Sequence, residues 1–324
     1  MNVCLVDSNK KQDYVKYIYP NVIINRYDLS FDDYDIIVVD DGKNDLYVPI
    51  HINGREASLG IYMRNIDDVI PGAFDAIKNF VFKNFNVDVI CVKHTLTPFA
   101  GAENTRHCHV DLPESIDDFD KDLSHRVRYN TKWYPKKIEE NIGKISFDNI
   151  EIKNCPKEIF LLYFKWKQES HNFKYHLTPN EYIKKCGLTR AYVLRGGGQM
   201  LAIGFIAETG DNVYFENFSY NQEYRKYSPG MVLYYEIIRD LIARRKKIFF
   251  LLGAYDYKIH YNGIVTQTYT GCVYKSANKI QKLKNLAIVL KKMPKFLRRL
   301  IITIYGNVFL SRPYKHFLKD EVNK

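Results

Sequence analysis

The stretch Tyr214 to Lys258, YFENFSYNQEYRKYSPGMVLYYEIIRDLIARRKKIFFLLGAYDYK, decides the fold class because it spells strand, turn, long helix and strand in that order. Residues Val213 to Tyr220 alternate aromatic and polar side chains with the period of two of a strand, and Asn221 to Glu223 supply turn chemistry. A helix then opens at Ser228-Pro229-Gly230. Ser228 suits the N-cap, Pro229 the first helical position, and Gly230 a close approach of a bulky anion to the backbone. Free amides at such a helix start, with the positive end of the helix dipole and with Arg225 and Lys226 just before it, predict an anion site. An ordinary capped helix fits the motif alone equally well. Ile248 to Leu252 is continuously apolar, as for a strand covered on both faces.

This segment resembles the core of the GNAT acyltransferase superfamily, in the branch that holds the Fem-type peptidoglycan-bridge transferases and the BioF2-like and cellulose-biosynthesis acetyltransferase domains. Arg225-Lys226-Tyr227-Ser228-Pro229-Gly230-Met231 stands where the family carries its pyrophosphate loop, with Ser-Pro-Gly replacing the usual glycine pattern. His109-Val110-Asp111-Leu112-Pro113, then Leu123-Ser124, Arg126 and Arg128-Tyr129-Asn130, resembles the opening of the branch's transferase domain. Gly253-Ala254-Tyr255-Asp256-Tyr257-Lys258 resembles its Gly-x-x-x-Tyr-Lys ending. The likeness covers residues 105 to 275.

The resemblance implies an α/β (α+β) chain of GNAT acyltransferase fold. A degenerate GNAT-like N-terminal half would span 1–112, a catalytic GNAT domain 113–276, and a basic helical extension 277–324. Its fourth strand would splay from the fifth to admit the pantetheine arm of an acyl-CoA such as acetyl-CoA or a short hydroxyacyl-CoA, with no metal. An amine would attack the thioester directly, so the protein must orient the reactants, take a proton and stabilise the oxyanion and thiolate. Phe218, Ser219, Tyr220, Arg225, Lys226, Tyr227, Ser228, Gly230, Met231 and Lys258 fall at the cofactor-binding positions. Glu216 is the first candidate base, with a cross-strand ion pair as its structural alternative, and Asp256 the second; a bound water could serve instead. Tyr257 could protonate the thiolate. Arg128, Trp133 and His171 are the candidate substrate-binding residues, with a solvated helix face or a core contact as the plainer reading of each.

For the acceptor, the resemblance implies a nucleotide-linked amino sugar, such as a dideoxy amino sugar of a surface polysaccharide (lipopolysaccharide O-antigen). Two other readings stand beside it. One is a non-catalytic, membrane-associated scaffold of polysaccharide assembly; the other is an aminoacyl-tRNA-dependent Fem-type transferase. No heptad-repeat arm of the kind that binds tRNA is visible, and the charge distribution speaks against nucleic acid. Residues 1–274 balance at 35 basic and 35 acidic, and the whole formal charge of +11 lies in 275–324. Within that tail, Leu286 to Tyr305 mixes apolar residues with Lys291, Lys292, Lys295, Arg298 and Arg299, and Pro294 breaks it into two helices. These either dock on the body or lie on a membrane surface.

The 324 residues, 46% hydrophobic, suffice for two cores. Six scattered cysteines without Cys-x-x-Cys spacing predict reduced thiols. The N-terminus lacks a signal-peptide core and no stretch reaches the length of a membrane span, so the expected location is cytoplasmic, with peripheral contact at the inner membrane through the tail.

Elsewhere, Val3–Val6, Ile36–Val39, Ile61–Met63 and Val89–Lys93 read as strands and Ala73–Asn84 as a helix. The acids Asp32, Asp33, Asp35, Asp40 and Asp41 read as solvated loop residues. Helices are expected over Pro113–Asn141, over Lys157–His171 with an apolar face at Phe160, Leu161, Phe164 and Trp166, and over Pro179–Lys185. Arg190–Arg195 and Met200–Glu208 flank Gly196-Gly197-Gly198 as a hairpin. His107 and His109 share a strand face without a visible third metal ligand, while His171, His176 and His260 fall near the expected acceptor pocket.

Overall fold

The computed structural model describes residues 1–7, 34–61, 66–171, 177–251 and 255–323; the side chains of 171, 184, 185, 209, 216, 217, 308 and 309 lie outside that description. In chain order the elements begin with strands β1 (Asn2–Leu5), β2 (Asp35–Asp40), β3 (Asp45–Asn53) and β4 (Glu56–Leu59), helices α1 (Ile66–Val69) and α2 (Ala73–Asn84), and strands β5 (Val89–Thr95) and β6 (Glu103–Asp111). Helices α3 (Ile116–Asp122) and α4 (His125–Asn141), strand β7 (Ile145–Glu151), helices α5 (Lys157–His171) and α6 (Pro179–Cys186), and strands β8 (Arg190–Gly196), β9 (Gln199–Thr209) and β10 (Asn212–Tyr220) follow. After α7 (Pro229–Ala243), β11 (Ile248–Leu251), α8 (Asp256–His260) and β12 (Ile264–Tyr274), the chain ends in α9 (Ala277–Lys291), α10 (Lys295–Phe309) and α11 (Arg312–Asn323).

Two compact units result. The first joins the described residues up to Thr105 to the segment Thr268–Lys324, and the second is built from Arg106–Gln267. The linear division at 112/113 and 276/277 follows instead the order of motifs along the sequence.

In the first unit the strand order is β1-β2-β3-β4-β5-β12. Neighbours are antiparallel from β1 to β4, β4 and β5 are parallel, and β12 closes antiparallel on β5. The parallel step needs a crossover, and α1 and α2 provide it. Helix α2 buries Phe74, Ile77 and Val81, residues three and four apart, against Ile37, Val48 and Ile90 of the strands. Register sets Cys272 opposite Cys91 across β12 and β5, with Cα atoms 4.3 Å apart, and the two form a disulfide. This corrects the expectation of uniformly reduced thiols, since the pairing depends on a contact between residues 181 positions apart.

The second unit repeats that plan in the order β6-β11-β10-β9-β8-β7. Strands β7 to β10 are antiparallel neighbours, β10 and β11 are parallel with α7 as the crossover, and β6 closes antiparallel on β11. One face of this sheet packs on α3, α4 and α7 through Phe119, Val127, Ile138, Leu233 and Ile237; the other packs on α5 and α6 through Phe160, Tyr163, Tyr182 and Phe205. Leu161, expected on the buried face of α5, is 53% exposed, because one step of about 100° turns it away from Phe160 and Trp166. The glycine run is a hairpin turn, with Gly197 and Gly198 at φ +57° and +82°. In the first unit β4 ends at Leu59; of the strand expected over Ile61–Met63, residues 62 and 63 lie outside the described residues, as do Asp32 and Asp33.

Candidate active site

Strand β10 pairs with β9 along its length to Tyr220, slipping register once between Phe215 and Asn217. Among the described residues its parallel ladder to β11 runs from Asn212↔Ile248 to Phe215↔Leu251. Residues 252–254, on which the expected splay of the fourth and fifth strands depends, lie outside the described residues. At the far end of α7, Asp240 accepts hydrogen bonds from Tyr192 (2.6 Å), Arg244 (2.8 Å) and Asn149 (2.9 Å), which pins the crossover helix to the sheet.

Two cavities flank Tyr257. One, of about 610 Å³, is lined by Phe218, Ser219 and Tyr220 of β10, by Arg225, by Lys167 and Ser170 of α5, and by Tyr255 and Tyr257. The other, of about 270 Å³, is lined by Ser124, Arg126, Asn130 and Tyr134 at the start and along one face of α4, by Met231 of α7, and by Tyr257 and His260 of α8. Tyr257 belongs to both walls. Its ring stands edge-on to Phe218 (5.8 Å between centroids) and to Tyr234 (5.7 Å). Burial, reinforced by Tyr255 and Cys108, pushes its phenol above the ordinary tyrosine range, so it remains a neutral O–H donor at working pH. Lys258 is buried with its Nζ 5.1 Å from the Tyr255 ring and 5.7 Å from the Tyr257 ring, a cation held against aromatic faces.

The loop before α7 differs in detail from the cradle expected. Residues Gln222–Tyr227 form a 3₁₀ turn, and Ser228 stands at the N-cap in the left-handed region (φ 48°, ψ 48°) without a side-chain cap bond. That conformation costs a non-glycine residue roughly 1–2 kcal/mol. Ser228 N–H donates to the Arg225 carbonyl (3.0 Å), and the Ser228 carbonyl accepts from Met231 (2.9 Å) and Val232 (3.2 Å). Pro229 has no N–H, which leaves the Gly230 amide as the first-turn donor without a backbone acceptor among the described residues. Gly230 is itself buried: a Cβ there would lie 2.6 Å from the Phe218 ring and 3.1 Å from Tyr220. The glycine lets α7 press onto the rings that wall the larger cavity.

The structure thus gathers Phe218, Ser219, Tyr220, Arg225, Met231 and Tyr257 at the cavity walls, with Gly230 against Phe218 and Tyr220 and Lys258 beside Tyr255 and Tyr257; Lys226, Tyr227 and Ser228 do not line these two cavities. Lys226 lies over the Tyr227 ring at 4.9 Å. Asp256 is exposed in the first turn of α8, after residues 252–254, which lie outside the described residues. Arg128 is exposed, and Trp133 packs with Tyr129 and Tyr134 (6.5 and 5.0 Å). The α4 face that meets the smaller cavity is Arg126, Asn130 and Tyr134, spaced by four. That spacing was readable in the sequence, but which face turned inward was not. Ser124 and Tyr255 fall within the motifs that carry the resemblance but were not singled out as site residues, and Lys167 and Ser170 were not anticipated, since no local pattern marks them. The side chains of Glu216 and His171, the residues Gly253 and Ala254, and His176 lie outside the described residues. Among the described residues no cluster of three or more His, Cys, Asp or Glu could hold a metal.

Residues 177–259, which include strands β8 to β11, the loop and α7, match the family model of the acetyltransferase (GNAT) domain. The chain carries a GNAT acyltransferase domain. No curated protein matches the chain. Among solved structures, FemX is similar at 8% identity and a TM-score of 0.58, over 88% of this chain and 99% of that one. The C-terminal domain of a putative lysylphosphatidylglycerol synthetase from Agrobacterium fabrum is similar at 12% identity and a TM-score of 0.54, over 84% and 94%. L-PGS from Bacillus licheniformis follows at 10% identity and a TM-score of 0.50, over 85% and 94%. These likenesses span both units, so the GNAT domain sits within a fold shared along most of the chain.

Proposed function

We propose that the GNAT domain, within residues 113–276, transfers an acyl group from acyl-CoA to the amine of a nucleotide-linked amino sugar. The observation that carries this reading is the pair of cavities that share Tyr257, the larger walled by the end of β10 and by Arg225 of the loop before α7. The larger takes the thioester arm along Phe218–Tyr220, with Arg225 and the Gly230 amide toward the pyrophosphate. The smaller takes the sugar that bears the amine, between Arg126, Asn130 and His260.

In this arrangement the amine nitrogen attacks the thioester carbonyl carbon, and the oxyanion is met by a backbone N–H of β10 near Asn217 to Ser219. The C–S bond breaks, the thiolate takes the Tyr257 proton, and the proton lost by the ammonium passes to water or to Glu216. Tyr257 is then reprotonated from solvent. Lys258, buried beside Tyr257, favours the negative charge that develops next to it.

The Fem-type resemblance of the sequence motifs carries a second reading, in which the donor is aminoacyl-tRNA at the same cavities. Calorimetric titration of the full chain with acetyl-CoA and a longer acyl-CoA, against free CoA, separates the two. Saturable one-to-one binding, weakened at least about tenfold by Gly230→Val, is the expected result. Absence of binding at millimolar acyl-CoA, with salt-sensitive binding of aminoacyl-tRNA, would transfer the assignment to the Fem-type donor. Absence of both would leave a non-catalytic scaffold.

A further inference from the structure

From Lys275 to Lys319 the chain carries twelve Lys and Arg and no Asp or Glu. The three helices of this segment close on their own small core of Leu283, Ala287, Leu290, Ile302, Tyr314 and Leu318. Arg298 braces the bend at Pro294, donating to the carbonyls of Leu290 (3.1 Å), Lys291 (2.9 Å) and Met293 (3.3 Å). Helix α10 spends its inner face on that core through Ile302.

Its outer face is nevertheless apolar. Phe296, Leu300 and Ile304, four residues apart and so in one stripe, are 70%, 53% and 54% exposed. Ile288 and Val289, in the last turns of α9 across the bend, are also exposed. Lys284, Lys291, Lys292, Lys295 and Arg299 flank this surface and are exposed as well. A solvated helix face has no use for such a row, and a contiguous apolar surface rimmed by charge marks a docking site.

We propose that the α9–α10 bend docks on an anionic lipid surface. Phe296, Leu300 and Ile304 would enter the headgroup boundary, and the lysines and arginines around them would meet lipid phosphates. Charge selects the occupant. A second copy of this chain would bring like charges together, and a nucleic acid would answer the charge while leaving the apolar stripe in water. An anionic bilayer satisfies both. No helix among the described residues is long and apolar enough to cross a membrane, which fits surface attachment. The inference is independent of the acyl-transfer reading, since it uses only the first unit.

The test is flotation of the full chain with vesicles of phosphatidylcholine alone and of phosphatidylcholine with about one third phosphatidylglycerol. The chain should float with the anionic vesicles, and rising salt should weaken binding. Phe296→Ser with Leu300→Ser, and separately Lys291→Gln with Lys292→Gln and Lys295→Gln, should each reduce binding more than about tenfold with an unchanged circular dichroism spectrum. Equal partition into neutral and anionic vesicles, or undiminished binding of the serine variant, would overturn the proposal. Should the serine variant misfold, Phe296→Trp replaces it: a blue shift on anionic vesicles beyond that of the wild-type chain is expected, and no shift overturns the proposal.

Discussion

The two units are built to one strand plan and differ in what is built around it. Each has an antiparallel run of strands, a helical crossover to a parallel neighbour, and an antiparallel closing strand. In the first unit, β4 ends where its pairing with β5 ends, from Glu56↔Val89 to Leu59↔Val92, and the closing strand is locked to β5 by Cys91–Cys272. In the second, β10 runs on to Tyr220 beyond Phe215, the last of its residues described as paired with β11, and Phe218, Ser219 and Tyr220 of that stretch wall the larger of two cavities that share Tyr257. The same topology therefore carries a cross-linked, closed sheet in one unit and an open site with two cavities in the other. The closing strands are also exchanged: β6 precedes the second unit's other strands, and β12 follows them before returning to the first.

The largest expected effect breaks the open unit at its shared wall. Tyr257→Phe removes the proton donor common to both cavities without changing ring packing, and kcat should fall by about 10²-fold or more with acyl-CoA affinity little changed. Because burial raises the Tyr257 phenol, the wild-type rate should show no alkaline loss at the ordinary tyrosine value of about 10. Near-normal turnover of the variant would reduce Tyr257 to a wall residue.

The closed unit should answer to its cross-link. Cys91→Ser opens a connection between residues 181 apart and should cost about 2–4 kcal/mol in denaturant unfolding, with acyl-CoA binding retained. Mass spectrometry of the unreduced chain checks the premise: free thiols at both positions would remove the cross-link from the account.

Much of this comparison was legible in the sequence only where the physics is local. Ala73–Asn84 and Lys157–His171 are helices with the predicted bounds, and Val213–Tyr220 is a strand, because periodicity and caps are written within a few residues. Pro229 and Pro294 fall at helix starts as expected. Ser228 marks the right position but uses backbone strain instead of a side-chain cap, which residue type does not reveal. The Cys91–Cys272 pairing and the exchange of closing strands depend on contacts between distant segments. The choice of Arg126, Asn130 and Tyr134 over Arg128 and Trp133 depends on which face of α4 turns inward.

A pH test sharpens the contrast further. Arg55 donates to both oxygens of Asp88 (2.6 and 2.7 Å), and Ser311 adds a third bond, so the Asp88 carboxyl lies below its ordinary value, chiefly through Arg55. A depressed carboxylate stabilises the fold above the unfolded value of about 3.9, and that contribution is lost as pH falls through the lower folded value. Arg55→Ala should cost about 1–3 kcal/mol at neutral pH and flatten the acid limb of the first unit's unfolding curve. An acid limb identical to that of the wild-type chain would show that the pair does not govern it.

The smallest effect probes the packing behind the open site. Tyr234 on α7 is fully buried among Phe215, Phe249, Tyr257 and Tyr261, and its hydroxyl has no hydrogen-bond partner among the described residues. Burial holds the phenol protonated, far above its usual range, so the group is a neutral O–H without compensation for lost water. Tyr234→Phe keeps the ring contacts and removes that cost, and should raise stability by up to about 1 kcal/mol in denaturant unfolding. The turnover of the same variant then decides the role of the hydroxyl. Retained turnover makes Tyr234 packing alone, whereas a loss of rate with a gain in stability would mean that the unpaired hydroxyl serves the reaction beside Tyr257.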